Sequence, residues 1–323
     1  MLYLSTRNTT DCYTAHRALS EARAPDGGIY VPFRLPVFVK DELQKIKAQS
    51  ACEAIAGVLN LFFGLHLSGW DVECVVGRYP LKPVPVNQRL LFAEGWRNPD
   101  GSFQYLQTGL YRRMTGKPDV VFPPSGWAYI AIEIALLFGL YATVEDIPQQ
   151  GMDVAVTAGD FADLAAVAFA KQMGLPVNMI ICTSNENSAS WDLFSRGDFS
   201  TNAALISTAL PKLDTAQPEY LECFLFARLG IEEVRRYLDA CDKKRIYRVE
   251  EHRLPLLNQD IFGAVVSSNR VDSIVTGMHR SNGYAIDPYT ALAYGGLQDY
   301  RANTGVNRDT LILAKYRPAM EKE

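Results

Sequence analysis

The stretch MDVAVTAGDFADLAAVAFAKQMGLPVNMIIC, from Met152 to Cys182, decides the fold. Asp153-Val154-Ala155-Val156-Thr157 reads as a strand, Ala158-Gly159-Asp160 as a turn, and Phe161 to Met173 as a helix with apolar residues on nearly every face. Gly174 caps that helix, Pro176 resets the chain, and Val177 to Cys182 forms a second strand. Both strands are short apolar runs with few charges, so they form a buried parallel pair joined by a helix. Such units bind ligands at the carboxyl edge of their strands. Thr157 to Asp163 and Thr183 to Asn187 lie at that edge. Read as structure alone, Asp160 is a helix cap.

Outward from this unit, Trp127 to Val144 is the longest apolar run, interrupted by Glu133 and flanked by Pro123, Pro124 and Pro148. That is a buried core helix rather than a membrane span. Towards the amino terminus, Leu2–Leu4 reads as a strand, Tyr13 to Ala22 as a helix, and Ala24-Pro25-Asp26-Gly27-Gly28 as a tight turn in which the adjacent glycines supply positive φ angles. Asp41 to Leu67 is helical, Pro80, Pro83 and Pro85 form an extended linker, Arg89 to Ala93 is a strand, and Tyr105 to Met114 is a helix broken at Gly116. The expected organisation is a small amino-terminal domain over residues 1–88 and a larger α/β domain over 89–323.

Composition bounds the function. With 48% apolar and 21% charged residues and a formal net charge of −4, the 323-residue chain is expected to be soluble and to bind neither nucleic acid nor membrane. The start MLYLSTRNTTDC has no signal-peptide core, which implies a cytoplasmic protein. Six scattered cysteines and four separated histidines give no metal-ligand spacing, so no metal is expected. No Walker loop, G-x-S-x-G or H-E-x-x-H is present.

Several segments together resemble threonine synthase, a fold-type II pyridoxal-phosphate (PLP) enzyme. Tyr3-Leu4-Ser5-Thr6-Arg7 and Ala24 to Pro32 resemble the family's amino-terminal signature, and Val156 to Asp163 resembles its V-P-[ST]-G-N-F-G-D loop. Lys171 to Val177 and Thr183-Ser184-Asn185-Glu186-Asn187 follow at the family's spacing, and Gly283 to Ala291 is similar to its G-Y-x-x-[DE]-P-H-[TA]-A segment. The resemblance implies a threonine-synthase-type amino-terminal domain followed by a mainly parallel α/β domain of tryptophan-synthase-β-like type.

The departures from the pattern are specific. Where the family's E-x-F-H-G-P-T-x-A-F-K-D carries the Schiff-base lysine, this chain has Leu91 to Gly95 and then Gly101-Ser102-Phe103-Gln104-Tyr105-Leu106, which puts Gln104 at the lysine position. An amide cannot form an aldimine, and the nearest lysines are Lys82 and Lys117. In the family's phosphate cup, Asp160 replaces an amide and Ala162 replaces a glycine. A carboxylate there repels a phosphate dianion by about 1 kcal/mol per unit pair at 4 Å in water. Lys117 to Phe122 runs almost directly into Pro123 to Trp127, so the lobe bearing the family's S-G-D-T-G loop is expected to be largely missing. Near the carboxyl terminus, Ala314 to Met320 places Lys315 where a residue should meet the pyridine nitrogen.

The resulting expectation is a degenerate, shortened, non-catalytic relative that acts by binding a small anion or a partner chain, without a cofactor. The retained candidates for cofactor or anion binding are Thr157, Gly159, Asp160, Phe161, Ala162 and Asp163; those for the substrate pocket are Asn185, Asn187 and Lys315. The alternatives are a PLP-dependent threonine-synthase-type lyase acting on O-phosphohomoserine, or a related activity with a relocated lysine. A further alternative is a half-enzyme completed by another polypeptide or by a second copy at the face left by the missing lobe. Trp96, Trp127 and Tyr129 read as core residues, and otherwise as the interface at that face.

Overall fold

The computed structural model describes residues 1–77, 81–123, 125–148 and 150–319. Pro80, Pro124 and Met320 lie outside these residues.

The amino-terminal strands β1 (Leu2–Ser5), β2 (Tyr13–Thr14) and β3 (Tyr30–Pro32) form an antiparallel sheet in the order β2-β1-β3. The helix expected from Tyr13 is shorter, α1 (Ala15–Ser20), because Tyr13 pairs with Tyr3 and Thr14 caps the helix by accepting the Arg17 N–H. In the turn before β3, only Gly27 takes a positive φ, +82°. Gly28 is required for space instead: a Cβ there would sit 2.1 Å from Ser5 Oγ. The helical stretch after Asp41 divides into α2 (Lys40–Lys47) and α3 (Ala51–Phe63). Ser50 and Glu53 close a reciprocal capping box at that break, which starts a new helix. Helix α4 (Gly69–Val76) follows.

The proline linker becomes the edge strand β4 (Val84–Asn87), antiparallel to β5 (Leu90–Glu94). Proline lacks the donor a central strand needs, which fits Pro85 to an edge. Then come α5 (Phe103–Thr115), α6 (Trp127–Thr143), β6 (Met152–Thr157), α7 (Ala162–Gln172), β7 (Val177–Ser184), α8 (Ala189–Arg196), β8 (Asp198–Ser200), α9 (Leu221–Leu229), α10 (Ile231–Asp242), β9 (Ile246–Arg248), α11 (Leu254–Asn258), β10 (Ile261–Val265), α12 (Ser268–Asn282), α13 (Pro288–Thr304) and β11 (Thr310–Ala314). The main sheet runs β10-β7-β6-β11-β5-β4 and is parallel except for β4. Among the described residues it is the single sheet with parallel strands; β8 and β9 form a small antiparallel pair.

Alternation along the strands assigns the two covers. Val154, Val156, Ile180 and Cys182 pack with α6 and α7, whereas Ala155, Ile181, Phe92 and Ile312 pack with α12 and α13. Gly296 lets α13 lie close to β7, since a Cβ there would meet Thr183 Oγ1 at 1.9 Å. Helix α6 is buried along nearly its whole length, and it packs on α3 as well as on α7. Tyr3, Phe62 and Trp127 meet ring to ring, so the amino-terminal region and the large sheet share one continuous core. Trp96 and Trp127 are core residues, and Tyr129 is half-buried at the wall of a cleft.

Candidate functional site

Strands β6 and β11 are neighbours, and their carboxyl ends open into a cleft of about 490 Å³. Ser102, Gln104 and Gln107 reach it from the start of α5; Thr157, Gly159, Asp160 and Asp163 from the β6–α7 turn; Lys212, Tyr289, Lys315 and Tyr316 from later segments.

The β6–α7 turn is built by bonds within the chain. Ala158 N–H donates to Thr183 O at 2.8 Å, Phe161 N–H to Ala158 O at 2.8 Å, and Ala162 N–H to Asp160 Oδ1 at 3.0 Å. Asp160 therefore caps α7 from just before the helix, with its side chain open to the cleft. Gly159 has φ +41° and Phe161 has φ +68°. For a bulky residue that conformation costs about 1–3 kcal/mol, and it is held because the Phe161 ring is buried between Phe194 and Phe224. Thr157, Gly159, Asp160 and Asp163 thus face the cleft, whereas Phe161 and Ala162 point into the core.

Lys315 follows β11 and is largely enclosed. Its ammonium lies 2.7 Å from Glu133 Oε1, pairs also with Asp163, and rests 4.4 Å from the centre of the Phe103 ring. Gln107 Nε2 donates to the same Glu133 oxygen at 3.1 Å. Burial by itself would lower the lysine pKa, but the charges of Asp163 and Glu133 outweigh it and hold Lys315 well above the usual lysine range. Burial pushes the Glu133 carboxyl well up, opposed by Lys315 and reinforced by Asp163. The cluster acts as one protonated lysine shared between two carboxyl groups. Burial also raises the Tyr316 phenol to about 12.

Asn185 and Asn187 do not line the cleft. Both donate to Asp214 Oδ1 at 2.8 Å, and they fasten the segment between β8 and α9. Sequence reasoning missed Glu133 as a site residue; its signal was the lone charge in an apolar helix. Lys212 and Tyr316 carried no signal, and Tyr289 showed only as the tyrosine standing for the family's histidine. Among the described residues no group of His, Cys, Asp or Glu is arranged to hold a metal, and no helix is long and apolar enough to cross a membrane.

Residues 2–78 match the protein family described as Threonine synthase N terminus. Threonine synthase from Pseudomonas aeruginosa is 27% identical over 202 residues, covering 61% of this chain and 42% of that protein. The solved structure of PLP-bound threonine synthase from Brucella melitensis superposes with a TM-score of 0.87 at 18% identity, covering 99% of this chain and 89% of that one. The chain thus carries the threonine synthase amino-terminal unit over residues 2–78 and is similar in fold to threonine synthase over nearly its whole length. Human Threonine synthase-like 1 is 24% identical over 179 residues, 54% of this chain and 23% of the relative. The matched region therefore spans less than half the length of these curated relatives. Yeast threonine synthase has the same fold, with a TM-score of 0.83 at 15% identity over 98% of this chain and 87% of that one. Within this family fold, the mainly parallel sheet puts the β6–α7 turn, Gln104 and Lys315 around one cleft.

Proposed function

We propose that this chain is a threonine synthase-like binding protein whose cleft does not perform PLP chemistry. The observation that carries the reading is that Gln104, which the motif resemblance sets in place of the family lysine, lines the cleft. An amide cannot attach the cofactor as an aldimine. Lys315, nearby, is no substitute, because two carboxyl groups hold it protonated.

The donor set is also a poor match to the cofactor's phosphate. Phe161 N–H and Ala162 N–H at the start of α7 are already used within the chain. Asp160 stands in the cleft where a dianion would approach, while Asp163 is already shared with Lys315. With Lys212 on the same wall the charges are mixed, which favours a neutral or zwitterionic small molecule. A partner chain at the open side of the cleft fits the same reading.

The test is titration with PLP, followed by visible absorbance, borohydride reduction and mass spectrometry. No stoichiometric adduct is expected; a stable yellow adduct on one lysine would overturn the proposal. Gln104→Lys alone is expected to release no phosphate from O-phosphohomoserine above the parent's rate. Release above that rate would show that the remaining cleft walls suffice for catalysis.

A further inference from the structure

A second space lies beyond the wall of the cleft, between helix α6 and the carboxyl ends of β5 and β11. It measures about 40 Å³, and Phe103 and Lys315 line both it and the cleft. Strand alternation turns Phe92 and Ile312 toward α12 and α13, so Ala93 and Leu313 face α6. There they meet Leu136, Leu137 and Leu140, while Ala93 and the α7 residue Ala166 are too short to fill the gap. Protein interiors seldom leave a void larger than a water molecule. The polar groups that reach this one are spent on the chain. Glu133 accepts from Lys315 at 2.7 Å and from Gln107 at 3.1 Å. Glu94 accepts from the Tyr284 hydroxyl at 2.5 Å and pairs with Arg97. Gly95 N–H donates to Ala314 O at 2.8 Å, and Gly95 O accepts from Asn98 Nδ2 at 2.9 Å. Among the described residues, no buried side-chain polar atom of the lining lacks a partner.

We propose that this cavity is a dry binding site for small, uncharged aliphatic molecules. One water centre needs about 10–15 Å³, so the space admits a guest of roughly three to four heavy atoms. A water inside it would find none of the two to four polar partners it requires. An apolar guest gives the leucines the contacts that the void denies them. A polar or charged guest would lose its hydration without compensation. The mouth is at Lys82, the exposed residue of the lining, whose ion pair with Glu145 at 3.7 Å faces solvent. This inference rests on the cavity alone and is independent of the reading of the cleft.

The experiment follows the leucine methyl resonances of the intact chain by NMR while xenon or cyclopropane is added. The methyls of Leu136, Leu137, Leu140 and Leu313 are expected to shift along saturable curves; a linear drift without saturation would overturn the proposal. Formamide has as many heavy atoms as cyclopropane but is polar, and it should bind at least about tenfold more weakly. Equal affinity for the two would overturn the claim that the site is dry. Ala93→Val adds a side chain suited to a strand and fills the space, so it should weaken xenon binding at least about tenfold and raise the thermal midpoint. Ala166→Val makes the same test from α7 where the first variant fails to fold. Undiminished saturable binding in a folded filling variant would overturn the location.

Discussion

The turn at residues 24–28 and the turn at 158–162 both resemble family segments, yet they end in different states. In the first, the bonds tie the turn to the neighbouring strand: Asp26 Oδ1 accepts from Ser5 Oγ at 2.7 Å and Gly28 N–H at 2.9 Å, and Gly27 N–H donates to Ala24 O at 2.8 Å. In the second, Asp160 spends one oxygen on Ala162 N–H and opens to the cleft. A motif whose partners are internal is constrained by folding alone. One that faces a cavity is constrained by what enters the cavity, so its residue types can change while the backbone stays in place.

The largest test of this contrast lies at the cleft floor. Lys315→Met should destabilise the chain by about 3–5 kcal/mol, because it leaves Glu133 and Asp163 without their cation. Chemical denaturation would measure it, and adding Glu133→Gln should recover part of the loss. A change under about 1 kcal/mol would mean that water already screens the cluster.

Next in size is the pair of glycines. Gly28→Ala should cost about 1–3 kcal/mol by overpacking Ser5 and Thr6. Gly159→Ala meets Leu213 at 3.4 Å and Lys212 O at 3.9 Å, both ordinary contacts, so its cost is confined to a positive φ, about 1 kcal/mol. Thermal denaturation that reversed this order would break the comparison of the turns.

The pH dependence follows from the same cluster. The folded pKa of Lys315 is raised above the ordinary 10.5, so its contribution to stability is present below that value and fades as pH climbs through the folded pKa. Glu133, also raised, contributes stability below the ordinary 4.5 that fades as pH rises through its own folded value. Unfolding titrations should therefore show a strongly alkaline decline that Lys315→Met lacks. The smallest effect is expected for Asp160→Asn, which keeps a cap acceptor but removes a charge. Calorimetry with inorganic phosphate should show an affinity gain of roughly fivefold, about 1 kcal/mol.

The parallel core was legible because the β6–α7–β7 unit carries its evidence locally: apolar strands, a glycine turn, and a proline after the helix. Helix α6 was legible for the same reason. The amino-terminal details were less so, since Tyr13 joins a strand only through pairing with Tyr3, sequence-distant and invisible to periodicity. The cleft was half legible. Gln104, Asp160 and Lys315 stood out against a known pattern, but the ion cluster joins residues 133, 163 and 315 from three elements. Lys212 reaches the cleft only because Asn185 and Asn187 clamp Asp214, an arrangement no local signal reveals.

The place of β11 has a consequence for how the chain assembles. It sits between β6 and β5, near the middle of the sheet, yet it is made of residues 310–314. During synthesis the sheet cannot close until those residues have left the ribosome, and Glu133 and Asp163 have no cation until Lys315 follows them. Until then the nascent chain carries a split sheet and unneutralised acids, a stage at which exposed strand edges invite misassembly.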